Sequence, residues 1–142
     1  MRTLVIVKPD GVKRGLVGEC MKRFERYGLR LAGLKVLSAG KARAEKLYAV
    51  HRGKPFYGDL VAYVTSGPIA VMVLEIDLPA EDGIKLVRKI VGATNPLNAE
   101  MASIRGDYGV TMSENIVHAS DSGESADYEI PIFFDESELV KY

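Results

Sequence analysis

The stretch NIVHASDS, residues 115–122, carries His118, one of only two histidines in the chain; the other is His51. A neutral imidazole near pH 7 is both a nucleophile and a proton carrier. His118 follows the β-branched pair Ile116 and Val117 and precedes a helix start whose free N–H groups attract anions. Glu129, near the far end of that helix, stands where a carboxylate could orient the ring. The same position also suits a half-buried structural ring satisfied by a neighbouring carbonyl. Residue type alone admits both readings.

Other groups that suit phosphate lie near turns: Lys8 at the end of the first strand, Arg88 late in a helix, Thr94 and Arg105 in a long loop, and Asn115 just before His118. Taken singly, each reads first as a solvated charge or a turn cap. The chain contains no GxxxxGK[ST], GxGxxG, HExxH or GxSxG, so the familiar phosphate-loop, dinucleotide, zinc-protease and hydrolase signatures are missing.

The elements that must position these groups follow from apolar periodicity. TLVIVK (3–8) reads as a buried strand ending in a Pro-Asp-Gly turn. Leu16, Val17, Cys20, Met21, Phe24 and Tyr27 recur at helical spacing, with Gly28 as the stop. From Leu29 to Leu37 the apolar parity switches at Gly33, which predicts a strand with a bulge there. KARAEKLYAVH predicts a helix with Tyr48 and His51 on one face. A second short helix follows Pro55, with Phe56, Leu60, Val61 and Val64 as its apolar set. IAVMVLEI (69–76) is a buried strand, and Ile84, Val87, Ile90 and Val91 mark a helix stopped near Gly92. Ala93 to Asn115 is a long loop, tied down or functional. After a last strand around Asn115 to His118, Asp121 and Glu124 predict a capping box for a helix that Pro131 must end. This order predicts an α+β, ferredoxin-like sandwich: a four-stranded antiparallel sheet with helices packed on one face.

The 142 residues predict one domain spanning 1–142. Lys plus Arg and Asp plus Glu both count 19, so no global basic field exists to hold nucleic acid, and any anion site must be local. Cys20 is the only cysteine, which excludes an internal disulfide or a cysteine-rich zinc site and fits a reducing cytoplasm. The apolar run before Lys8 is too short for a signal peptide or a membrane span.

Read together, VKPDGVKRGLVGE, HRGKPF, VTSGP, TNP with SIRGD, and NIVHASDS closely resemble the nucleoside diphosphate kinases, in that family's order and from Thr3 to about Phe134. The resemblance implies a ping-pong exchange in which a nucleoside triphosphate gives its terminal phosphoryl group to His118 and a different nucleoside diphosphate then takes it. A loose transition state asks mainly for positioning and charge neutralisation. By the family pattern Arg88, Thr94 and Arg105 meet the phosphates, and Tyr48 and His51 line the pocket. Lys8 and Asn115 reach the sugar hydroxyl and the transferred phosphate. Phe56 stacks on the base, with Met112 over its other face. Glu129, acting through Ser120, orients His118. Magnesium is expected on the nucleotide phosphates rather than at a metal site of the protein.

The resemblance also implies a homo-oligomer, usually a hexamer and in some members a tetramer. The apolar strand near Leu34 and the tail DESELVKY are expected to face a neighbouring subunit. Two stretches depart from the pattern. DLPAEDGIKLV, between Glu75 and Arg88, is longer than the usual connection and reads as an acidic loop or an extended helix start. Met101, Ala102 and Ser103 stand where Pro-Gly-Thr is common, in a loop that serves subunit packing. A silent nucleotide-binding relative is the other reading of the fold; it would lack His118 or an arginine, and none is missing. Nucleic acid is not expected as a main partner, nor is a membrane.

Overall fold

A computed structural model describes all 142 residues. Four strands, β1 (Arg2–Val7), β2 (Arg30–Leu37), β3 (Ile69–Glu75) and β4 (Val117–Ala119), form one antiparallel sheet in the order β2-β3-β1-β4. Seven α-helices accompany them: α1 (Pro9–Lys13), α2 (Val17–Arg26), α3 (Gly40–Leu47), α4 (Tyr57–Val64), α5 (Ala80–Val91), α6 (Ile104–Tyr108) and α7 (Gly123–Phe133). The predicted α+β, ferredoxin-like class is the one observed.

The sheet is covered on both faces, not one. Val5 and Val7 of β1 with Ala70, Met72 and Leu74 of β3 pack against Phe24 of α2 and Val87 and Ile90 of α5. Leu4 and Ile6 with Val71 and Val73 pack the other way, against Ala44 and Leu47 of α3, Val64 of α4 and Phe133 of α7. Burial of both faces is why β1 and β3 read as unbroken apolar runs rather than alternating ones.

The bulge in β2 is present: Leu31 pairs with Leu74 and Gly33 with Val73, leaving Ala32 as the extra residue. Gly28 and Gly92 end α2 and α5 with φ of +80° and +90°, a conformation that costs glycine little. Three local expectations change. Pro-Asp-Gly is not a bare turn but the start of α1, with proline at the first helical position, where its missing N–H costs nothing. The α7 cap is Ser122, whose hydroxyl accepts from the Ser125 N–H at 3.0 Å; Asp121 instead accepts from the Ser125 hydroxyl at 2.6 Å. Pro131 lies inside α7, which continues to Phe133, because both Pro131 and Asp127 face solvent and water can meet the carbonyl that proline leaves unpaired.

The stretch between Glu75 and Arg88 resolves as a helix start. Pro79 precedes α5, Glu81 and Asp82 fill its first turn, and Asp77 accepts from Arg30 at 3.0 Å. The long loop 93–115 contains a 3₁₀ turn (Pro96–Asn98) and α6, whose cap Ser103 accepts from the Gly106 N–H. The C-terminal tail lies on its own β2: the Val140 N–H donates to the Ala32 carbonyl at 2.8 Å and the Tyr142 hydroxyl to the Leu31 carbonyl at 2.6 Å. Within this chain the tail closes an edge that strands otherwise leave open.

Candidate active site

His118 sits on β4 opposite Ile6 of β1, which fixes its height above the sheet. Its side chain is 24% exposed, and Nε2 is hydrogen-bonded to the Glu129 carboxylate projecting from α7. A carboxylate only accepts, so in the neutral ring the proton belongs on Nε2 and the lone pair on Nδ1. Nδ1 makes no hydrogen bond. Ser120 does not relay this contact: its hydroxyl donates to the Leu4 carbonyl at 3.5 Å, and Glu129 meets the ring directly.

Lys8 closes β1 and is almost buried. Its ammonium donates to the Asn115 side-chain oxygen and, at 3.3 Å, to the Ser113 carbonyl, and it lies 5.5 Å from the centre of the Tyr63 ring. Burial lowers its pKa to about 8; the nearby Asp10 carboxylate pulls the other way and Arg105 adds to the lowering. Asn115 in turn donates to the Thr94 carbonyl at 2.9 Å, so the two loops that follow α5 and α6 are tied together.

Arg105, on α6, donates to three main-chain carbonyls: Asn115 at 3.2 Å, Gly92 at 3.0 Å and Val117 at 2.6 Å. Burial, with help from the Arg88 charge, lowers its pKa to about 10, which leaves it charged at neutral pH. Arg88 is exposed at the end of α5 and lines a hollow of about 400 Å³ with Lys85, Asp121 and Ser122. The sequence marks Asp121 only as a helix cap, whereas in the structure it is also a wall of this hollow. Its signal was its place three residues after His118, at a helix start. The Ser125 hydroxyl chiefly, then Arg88 and His118, hold its carboxyl below the usual range.

An aromatic chain leads outward. Tyr48 meets His118 edge-on at 6.3 Å between ring centres, His51 lies 6.4 Å from Tyr48, and Phe56 lies 5.2 Å from His51. Burial pushes the Tyr48 phenol up to about 12, with Glu129 adding to the effect, so it stays protonated. Burial first, then Lys54 and His118, lowers the His51 pKa. Phe56 is 46% exposed, free to receive a flat ring. Met112 belongs to neither apolar cluster and is 60% exposed. The structure thus joins His118, Glu129, Tyr48, His51 and Phe56 in one run of contacts and Lys8, Asn115, Thr94 and Arg105 in another, with Arg88 beside Asp121. Thr94 enters by its carbonyl, and Ser120 and Met112 stand outside both runs.

A family model described as "Nucleoside diphosphate kinase" matches residues 1–139. The chain is similar to the nucleoside diphosphate kinase of Thermomicrobium roseum, at 52% identity over 99% of this chain and 92% of that one. It is also similar to that of Saccharolobus solfataricus, at 50% identity over 97% of each. Among solved structures, a halophilic nucleoside diphosphate kinase from Halobacterium salinarum in complex with CDP superposes with a TM-score of 0.93 at 42% identity, covering 100% of this chain and 92% of that one.

Proposed function

The chain belongs to the nucleoside diphosphate kinase family and is a nucleoside-diphosphate kinase, moving the terminal phosphate of a nucleoside triphosphate to a nucleoside diphosphate; from that premise we propose that His118 Nδ1 is the atom that carries the phosphoryl group. The observation that carries this reading is the bond from Nε2 to Glu129, which leaves Nδ1 as the nucleophile and stabilises the ring as it becomes cationic. The Nδ1 lone pair attacks the γ-phosphorus, the bond to the bridging oxygen breaks, and the nucleoside diphosphate departs. A second diphosphate reverses the step. Incubation with a nucleoside triphosphate labelled on its γ-phosphate, followed by transfer of the label to a different diphosphate, tests it.

Lys8, Arg88 and Arg105 supply the positive charge that the transferring group needs, and Asn115 and Thr94 hold the loops that face it. Tyr48 packs the ring of His118 and His51 extends the wall. Magnesium, on this reading, arrives on the nucleotide phosphates. The donor set supports that: no group of three or more His, Cys, Asp or Glu side chains is placed to hold an ion. We take the whole chain, 1–142, as one domain of a homo-oligomer, with a hexamer as the first expectation and a tetramer as the second. Leu34 and Val36 on β2, exposed at 46% and 67%, support self-association. A cytoplasmic place fits the free, buried Cys20; no helix is long and apolar enough to cross a membrane.

Lys8 gives a pH prediction. In the free protein its charge is lost as pH rises through about 8, so kcat/KM for Mg-ATP should fall with an apparent pKa near that value. Stability should run the other way. Between about 8 and the ordinary 10.5 the unfolded chain binds a proton that the folded chain does not, so stability rises with pH across that window and is lost as pH falls through 8. Rate profiles and thermal melts across the window check both signs. Parallel loss of activity and stability would contradict the assignment.

Phe56 gives a specificity prediction. Stacking is worth about 1–3 kcal/mol per base and does not read base edges. Phe56→Ala should therefore raise KM by about 5- to 150-fold for ADP, GDP and CDP alike, with little change in kcat. Steady-state kinetics on the three diphosphates would show a base-dependent change instead if an edge were being read.

A further inference from the structure

Ile116 is a buried, β-branched residue with φ of +74°, a region that such side chains avoid. The Val117 N–H donates back to the Asn115 carbonyl at 2.8 Å, so residues 115–117 form a three-residue γ-turn, the strained kind with positive φ at its centre. Strain of this sort persists only where the surroundings impose it, and it gathers at functional sites. The groups assigned above meet at this turn. The Asn115 side chain accepts from Lys8, the Asn115 and Val117 carbonyls accept from Arg105, the Ile116 carbonyl accepts from the Lys8 N–H at 2.7 Å, and His118 comes next.

Asp10 meets the turn at its centre. One oxygen of its carboxylate accepts from the Ile116 N–H at 3.0 Å, the donor that the turn leaves without a main-chain partner. The other oxygen accepts from the Tyr63 hydroxyl, and the Asp10 N–H donates to that hydroxyl oxygen at 3.1 Å, so Tyr63 holds both the side chain and the main chain of Asp10. Gly11 lets α1 come this close: a Cβ there would lie 2.9 Å from Ile116 Cγ2 and 2.7 Å from Val7 Cγ1. The carboxylate thus serves as an internal brace across 106 residues of sequence, linking the first helix to the strand that carries the histidine.

We propose that Asp10, braced by Tyr63, is a positioning residue for phosphoryl transfer: its bond to the Ile116 N–H holds the strained turn that aligns Asn115 and Lys8 with His118. This rests on His118 being the phosphoryl carrier. The effect runs through geometry rather than charge, so the amide should substitute for the acid. In Asp10→Asn the side-chain oxygen can still accept from Ile116 while the NH₂ group donates to the Tyr63 oxygen.

The test is rapid-quench measurement of His118 phosphorylation at saturating Mg-ATP for wild type, Asp10→Ala, Asp10→Asn and Tyr63→Phe. It is joined by equilibrium ATP binding and by hydrogen exchange of the Ile116 amide. Asp10→Ala should phosphorylate about 10²-fold more slowly, the cost of moving a reacting group by about 1 Å, while ATP binding changes far less. Its Ile116 amide should exchange faster. Asp10→Asn should stay within a few-fold of wild type in both readouts. Tyr63→Phe keeps the ring beneath Lys8 and deletes only the bracing hydroxyl; about a tenfold loss of rate with faster Ile116 exchange is expected, and it remains informative if the alanine variant does not fold. Wild-type rates in Asp10→Ala, or in Tyr63→Phe, would overturn the proposal. So would an Asp10→Asn variant as slow as the alanine, with its alkaline activity loss moved to lower pH, because Asp10 would then act through its charge on Lys8. A wild type that takes no phosphate would instead remove the underlying reading of His118.

Discussion

His118→Ala should abolish nucleotide exchange, with turnover lower by about 10⁵- to 10⁶-fold, the scale seen when a covalent nucleophile is removed. The expectation follows from a site with no substitute. His51, the only other histidine, is two aromatic contacts away, its pKa is lowered, and no carboxylate orients it. Tyr48, the nearest hydroxyl-bearing ring, has its pKa raised to about 12 and is a poor nucleophile at neutral pH. The native fold should persist with a modest loss of melting temperature, because the ring is partly exposed but the buried Glu129 carboxylate loses its donor. Coupled-enzyme turnover and circular dichroism on the same sample check both halves. Residual exchange above about 10⁻³ of wild type would point to a direct transfer without a carrier.

The second large effect is on stability. Arg105→Met should lower unfolding free energy by about 3–4 kcal/mol, since three carbonyls lose their donor at about 1–3 kcal/mol each and removal of a buried charge offsets part of that. For a chain of this size about 8–15 °C of melting temperature should go with it. Arg105 is 9% exposed, and its guanidinium ties together the end of α5, the γ-turn and β4, so the loss spreads to the site. Arg105→Lys should recover little, because one ammonium cannot serve three carbonyls set in different directions. An unchanged melting temperature in Arg105→Met would mean that Arg105 is held for the ligand alone.

The two roles of Arg105 also show where the sequence is legible and where it is not. Its type and place marked it as a phosphate group, but nothing local revealed three carbonyls converging on it from 10 to 13 residues away. Strands β1 and β3 were readable because burial on both faces writes a continuous apolar run, and the β2 bulge was readable because one extra residue flips the parity of every side chain after it. The same continuous runs should have signalled two covered faces; assuming one came from the fold class and not from the residues. Pro9 and Pro131 misled for a shared reason. Proline's cost depends on whether its missing N–H had a partner, which depends on position within a helix and on solvent. The turn at Ile116 was invisible because its partner, Asp10, sits at the other end of the chain, and local propensity argues against it. The tail's hydrogen bonds to Leu31 and Ala32 of its own β2 were not legible either, since DESELVKY carries no strand pattern.

The recurrence of motifs in family order proposes the site's residues before their positions are known, yet it sets Ser120 between Glu129 and His118, whereas the Ser120 hydroxyl points to the Leu4 carbonyl and Glu129 bonds to the ring directly. That bond is also what singles out Nδ1. The central claim is therefore tested most directly by following the phosphate itself. Wild-type protein is incubated with Mg-ATP labelled on the γ-phosphate, the phosphoprotein is assayed for acid lability and base stability, and unlabelled GDP is then added. The account predicts one acid-labile, base-stable label per chain on wild type, its quantitative transfer to GTP, and no label on His118→Ala. Wild type that binds nucleotide but takes no label, or label that persists on His118→Ala, would contradict it.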